Sequence, residues 1–154
     1  PPVGVAGFSY GGAVALRLAA REPRIAAVAV VSTFSSLRDI ARDFAARDIP
    51  LVGSLITQSQ LDRSLRRAGR TAGFDPDLAD NVRAAQATAA PILILHGTRD
   101  GLIPVAHART LHAAAPDRSR LVIVEGEGHN SMLADRKKIV PAELAAWFAE
   151  HLRR

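Results

Sequence analysis

Four short runs along the chain are apolar without polar interruption: Val3 to Phe8, Ile25 to Val31, Ile92 to Leu95 and Leu121 to Val124. A strand with one solvated face alternates in polarity, whereas a strand covered on both faces, as in a parallel sheet, does not. The runs therefore predict four buried parallel strands. Helical stretches lie between them. The first runs from about Gly11 to Ala20, where Val14, Leu16, Leu18 and several alanines favour helix until Glu22-Pro23 ends it. Another starts at Pro104, a residue suited to a first turn, and stops before Pro116. The last starts near Pro141 and sets Leu144, Trp147, Phe148 and Leu152 on one stripe. Strand, helix and strand in succession predict βαβ units and an α/β class.

The stretch from Thr33 to Ala90 is longer than one crossover helix requires and carries its own pattern. Leu37, Ile40, Ala41, Phe44 and Ala45 fall at helical spacing, and Arg63, Arg66, Arg67 and Arg70 precede Asp75, Asp77 and Asp80. It is expected to be a helical cap, inserted at about 33–90 into one domain of 1–154. Phe34, Phe44, Leu55, Ile56 and Phe74 are its candidate lining residues.

Chemistry enters at the ends of the apolar runs. Gly7-Phe8-Ser9-Tyr10-Gly11-Gly12 lies where a strand must turn at once into a helix, which is the nucleophile-elbow pattern. Such a turn lifts a serine hydroxyl above the sheet edge, and glycines two residues either side, Gly7 and Gly11, are expected to leave room for it. The first N–H of the helix, that of Tyr10, is the expected oxyanion donor, backed by the helix dipole. After the third run, His96-Gly97-Thr98-Arg99-Asp100-Gly101 places Asp100 beyond a strand's carboxyl end, where ligand sites of open parallel sheets gather. After the fourth, Glu125-Gly126-Glu127-Gly128-His129 does the same for His129. The order serine, acid, histidine is the one α/β-hydrolases require. Ser9 is thus the candidate nucleophile, His129 the general base and Asp100 its orienting acid.

With these segments the whole chain resembles the C-terminal portion of α/β-hydrolases, in the branch of small esterases and serine-peptidase-like or prolyl-oligopeptidase-like hydrolases. Pro91 to Gly97 resembles that group's penultimate-strand motif, and Phe8 and Tyr10 flank the elbow serine as they do there. The resemblance implies a serine hydrolase acting on an ester or related acyl bond. A peptidase or amidase of the same fold, or a noncatalytic interaction module, are the alternatives. It also implies about four earlier strands and a second oxyanion donor from an early loop, to which nothing in the chain corresponds. Without them the run Val3 to Phe8 becomes an exposed edge, to be covered by the missing N-terminal half or by a second copy.

Composition narrows the partners. The absence of cysteine excludes disulfides, thiolate metal sites and sulfur nucleophiles. The formal charge is +5, but basic residues are interspersed with acidic ones (Arg38, Asp39, Arg42, Asp43, Arg47, Asp48), so no nucleic-acid partner is expected. No run reaches the ~18 apolar residues of a membrane span, and a cytoplasmic location is the expectation. No cofactor is expected, and no metal: Glu125, Glu127 and His129 are the one candidate ligand group. His96 is expected to pack beneath the acid loop, His107 and His112 to ride an alanine-rich helix, and His151 to lie near the chain end, none at ligand spacing backed by carboxylates.

Overall fold

In a computed structural model, which describes residues 1–49, 53–134 and 138–153, the four apolar runs form one sheet. The elements are β1 (Val3–Phe8), α1 (Tyr10–Ala19), β2 (Ile25–Val31), α2 (Leu37–Asp48), α3 (Gln58–Ala72), α4 (Asn81–Ala87), β3 (Ile92–Gly97), α5 (Ala106–Ala114), β4 (Ser119–Val124), α6 (Ser131–Ala134) and α7 (Ile139–His151). All pairings are parallel, in the order β1-β2-β3-β4. The third and fourth strands are longer than their apolar runs. Their ladder continues from Ile92↔Ser119 to Gly97↔Val124, and strand partners satisfy the backbone of Ser119, Arg120, His96 and Gly97 whatever their side chains.

Alternate residues of β2 face opposite layers, which is why the run carries no polar alternation. Val28 and Val30 join Ile92 and Ile94 against Leu16 of α1, Ala84 and Ala85 of α4, and Leu111 of α5. Ala27, Ala29 and Val31 join Leu93 and Leu95 against Met132 of α6 and Trp147 of α7. Trp147 lies almost wholly in this core, and its indole N–H finds an acceptor at Val28 O, 3.2 Å away. Two helix boundaries move by one turn or less from expectation. The last helix begins at Ile139, with Pro141 inside a first turn whose N–H groups have no intrahelical acceptor anyway. The helix expected from Pro104 begins at Ala106, because Pro104 and Val105 form the turn that leads into it.

The long stretch between β2 and β3 divides in two. Its last helix, α4, packs on α1 and α5 and completes one face of the sheet. The remainder leaves and returns through a neck: Ser36 and Asp80 form an antiparallel bridge, Leu37 N–H donates to Ala79 O at 2.9 Å, and Asn81 N–H donates to Ser35 O at 2.9 Å. The described residues of 37–79 are thus a separate helical excursion carrying α2 and α3. Ser36 caps α2 by accepting from Asp39 N–H, and a reciprocal Thr57–Gln60 box starts α3. No helix among the described residues is long and apolar enough to cross a membrane.

Candidate active site

Ser9 sits between the end of β1 and the first turn of α1 with φ 54° and ψ −121°, a conformation that costs a non-glycine residue about 1–3 kcal/mol. Three hydrogen bonds impose it: Ser9 N–H donates to Val31 O at 2.8 Å, Thr33 Oγ1 donates to Ser9 O at 2.6 Å, and Gly12 N–H donates to Ser9 O at 3.0 Å. Although Ser9 occupies the N-cap position, its hydroxyl makes no capping bond. It turns instead to His129.

Gly7 leaves room as expected, since a Cβ there would lie 2.2 Å from Gly11 O. Gly11 does not fit the same argument. A Cβ at Gly11 meets nothing within 4 Å, because that position faces outward from α1. The second close approach belongs to Gly12, whose Cβ would lie 2.8 Å from Thr33 Cβ. The adjacent glycines of Gly11-Gly12 held that signal, but only the position of β2 tells which of them is confined.

Ser9, Asp100 and His129 follow the carboxyl ends of β1, β3 and β4, and the structure brings them into one line. His129 Nε2 lies 3.0 Å from Ser9 Oγ, and His129 Nδ1 lies 2.8 Å from Asp100 Oδ2. The other carboxylate oxygen, Oδ1, accepts from Leu102 N–H at 3.0 Å and Ile103 N–H at 2.7 Å. Burial by itself would push the Asp100 carboxyl upward. The hydrogen bonds from His96, Ile103 N–H and His129 oppose burial and prevail, holding it at about 2 against an ordinary 3.8. An ionised carboxylate can only accept, so Nδ1 of His129 carries its proton and Nε2 is left bare to accept from the Ser9 hydroxyl. The Phe8 ring packs 4.8 Å from the His129 ring, centroid to centroid.

Tyr10 opens α1, so its N–H belongs to the first turn and lacks an intrahelical acceptor. Its side chain is exposed and its ring lies 6.3 Å from that of Phe34. Phe34 is buried with Ala13, Ile40 and Ile103 in a small cluster that joins α1, α2 and the acid loop. Of the other expected lining residues, Phe44, Leu55 and Phe74 are at least one-third exposed and Ile56 is half-buried.

His96 does lie beneath the acid loop, with Nε2 2.8 Å from Ile103 O. Two of the four remaining histidines stand beside a carboxylate among the described residues: His96 Nε2 is 3.4 Å from Asp100 Oδ2, and His107 Nε2 is 2.8 Å from Asp43 Oδ2. Each is a single pair. Among the described residues no group of three or more His, Asp or Glu side chains could hold a metal ion, and Glu125 accepts from Thr98 Oγ1 at 3.1 Å. The residues sequence reasoning overlooked are Thr33, Gly12 and Gly97, the last of which brings the β3 exit within 2.1 Å, measured from an added Cβ, of Glu127 O.

Residues 2–154 match the prolyl oligopeptidase family. The chain is 31% identical over 132 residues to protein YfhR of Escherichia coli, spanning 84% of this chain and 39% of that one. It is 35% identical over 69 residues to a monoacylglycerol lipase of Mycolicibacterium smegmatis, spanning 44% of this chain and 25% of the lipase. It thus spans well under half of either relative's length. Among solved structures, an esterase of Pyrococcus furiosus superimposes with a TM-score of 0.70 at 16% identity, over 99% of this chain and 55% of the esterase. An acylaminoacyl peptidase of Pyrococcus horikoshii gives 0.68 at 16% identity, over 97% and 24%. At such identities these structures speak for the fold alone. Together with the match along nearly its full length, they place the chain in the prolyl oligopeptidase family, as the C-terminal portion of an α/β-hydrolase fold.

Proposed function

We propose that the chain carries the acyl-transfer centre of a serine hydrolase that cleaves a carboxylic ester or related acyl bond. The observation that carries this reading is the unbroken line from Ser9 Oγ through His129 to Asp100, with gaps of 3.0 and 2.8 Å. In the reaction, Ser9 Oγ attacks the acyl carbon as His129 Nε2 takes its proton, and Tyr10 N–H faces the oxyanion that develops. His129 then returns the proton to the departing alcohol, leaving an acyl-serine. Water, deprotonated by the same imidazole, releases the acid and restores Ser9. Asp100 keeps the tautomer fixed and balances the imidazolium.

The excursion over residues 37–79 stands beside this line through the Phe34, Ile40 and Ile103 cluster, and in this reading it roofs the acyl pocket. The names of an esterase and a lipase among the similar proteins favour ester cleavage. The family description and the acylaminoacyl peptidase favour an amide instead. Paired p-nitrophenyl ester and anilide substrates separate the two.

The test of the central reading is labelling by an active-serine phosphonate. One adduct is expected, on Ser9, and it should vanish in Ser9→Ala and slow by about 10³-fold or more in His129→Ala. Absence of an adduct on the folded chain would overturn the reading and favour a noncatalytic module.

A further inference from the structure

The Asp100 carboxylate is held by more than the two loop N–H groups that a tight turn would supply. Its Oδ2 atom, the one that faces His129, has a second imidazole beside it. His96 Nε2 lies 3.4 Å from Oδ2 and 2.8 Å from Ile103 O. Ile103 closes a ring, since its N–H donates to Asp100 Oδ1 at 2.7 Å while its carbonyl accepts from His96. A carbonyl only accepts, so Nε2 of His96 must carry a proton.

The opposite nitrogen decides the charge. His96 is fully buried and its Nδ1 has no hydrogen-bond partner among the described residues. A proton there would place an unsatisfied N–H on a buried cation, which is costly. Among the described residues its neighbours add no further charge: Ile123 is opposite on β4, Leu95 O is engaged by Ser32 N–H at the β2 exit, and Asp100 is the one carboxylate in ion-pair range. His96 is therefore a neutral donor.

We propose that His96 is a positioning residue of the site, a neutral imidazole that holds Ile103 by its carbonyl and, through Ile103 N–H and its own 3.4 Å approach to Oδ2, keeps Asp100 in place for the His129 N–H. Neutrality is the useful property. A lysine or arginine at this place would pair with Asp100 and offset the charge that His129 needs during the reaction, whereas an uncharged N–H given to Ile103 O steadies the loop whose Ile103 N–H binds the carboxylate and leaves that charge available. The proposal rests on the triad reading of Ser9, Asp100 and His129, yet its structural part can be measured without any reaction.

Nitrogen-15 NMR of the wild-type chain should show His96 as the Nε2–H tautomer, neutral at neutral pH and slow to exchange its proton. A doubly protonated or Nδ1–H ring would overturn the proposal, with no variant required. The deshielded proton of the His129 Nδ1–H bond to Asp100 then reports how that carboxylate pulls. It should move in His96→Leu, which has no donor, and stay near its wild-type position in His96→Gln, which keeps one. Ser9 phosphonylation should slow about tenfold in His96→Leu and recover most of the way in His96→Gln. Equal behaviour of the two variants, or no change in either, would mean that His96 only fills space. If wild-type Ser9 takes no label while the NMR signatures hold, the hydrolase reading fails and the clamp stands.

Discussion

The elbow stores strain at Ser9 and confines the residues around it, and the glycines record where. A methyl group at Gly7 would strike backbone, Gly11 O at 2.2 Å and Gly12 N at 2.6 Å, and backbone cannot step aside as a side chain can. Gly7→Ala is expected to cost about 3 kcal/mol or more. Gly11→Ala should be neutral or stabilising by up to about 1 kcal/mol, since it adds an alanine to a helix with open space around it. Urea unfolding of both variants tests the contrast, and a Gly11→Ala loss as large as that of Gly7→Ala would contradict it. Asp100 makes a second, pH-dependent claim. Its folded value is depressed to about 2, so its contribution is complete above the unfolded carboxylate value and fades as pH falls through about 2. The contribution is on the order of 2 kcal/mol. The stability gap between wild type and Asp100→Asn should accordingly narrow between about pH 4 and about pH 2, and a gap constant over that range would refute it. Ser9, Asp100 and His129 were legible because each follows an apolar run in the one chain order that fits. Thr33 and Gly12 were not, because their roles arise from the distance between β1 and β2, which no local pattern encodes.

At the level of elements, the same contrast separates the helices from the way they are tied together. The spacing of Leu37, Ile40 and Phe44 announces α2, and the alanine-rich run after Pro104 announces α5, but their connection is one polar knot. His107 Nδ1 takes Ser35 N–H at 3.1 Å and lies 2.8 Å from Ser35 Oγ, while Nε2 reaches Asp43 of α2 at 2.8 Å. Arg47, one turn on from Asp43, donates to Gly101 O at 2.9 Å and so ties α2 to the acid loop. The neck at Ser36 and Asp80 is equally silent in sequence, being a single bridge between residues far apart in the chain. That is why the insertion reads as about 33–90 from its composition and as 37–79 from its hydrogen bonds. Removing the knot with His107→Ala leaves the buried Ser35 N–H without its acceptor and should cost about 2 kcal/mol. In a chain of this size the melting temperature should fall by roughly 4–8 °C in scanning calorimetry. An unaltered transition would show that α2 is held by its apolar contacts alone.

Across the whole molecule, the sheet among the described residues runs from an edge at β1 to an edge at β4. Among the described residues, no strand lies beside the outward hydrogen-bonding edge of β1. The helix that follows presents Tyr10, Val14 and Leu18 to solvent, 66%, 50% and 44% exposed, and Val3 at the start of β1 is 46% exposed. An unpaired strand beside an uncovered apolar helix face is a template for association. The chain spans 39% of the Escherichia coli relative and 55% of the Pyrococcus furiosus esterase. Where nothing covers it, that edge meets water or another copy. The chain alone is therefore expected to exceed its monomer mass as concentration rises in light scattering, and Val14→Glu with Leu18→Glu should return it toward the monomer without loss of helix signal. A monomer at every concentration would mean that the twist and shortness of β1 protect its edge, and the exposed stripe of α1 would then need another explanation.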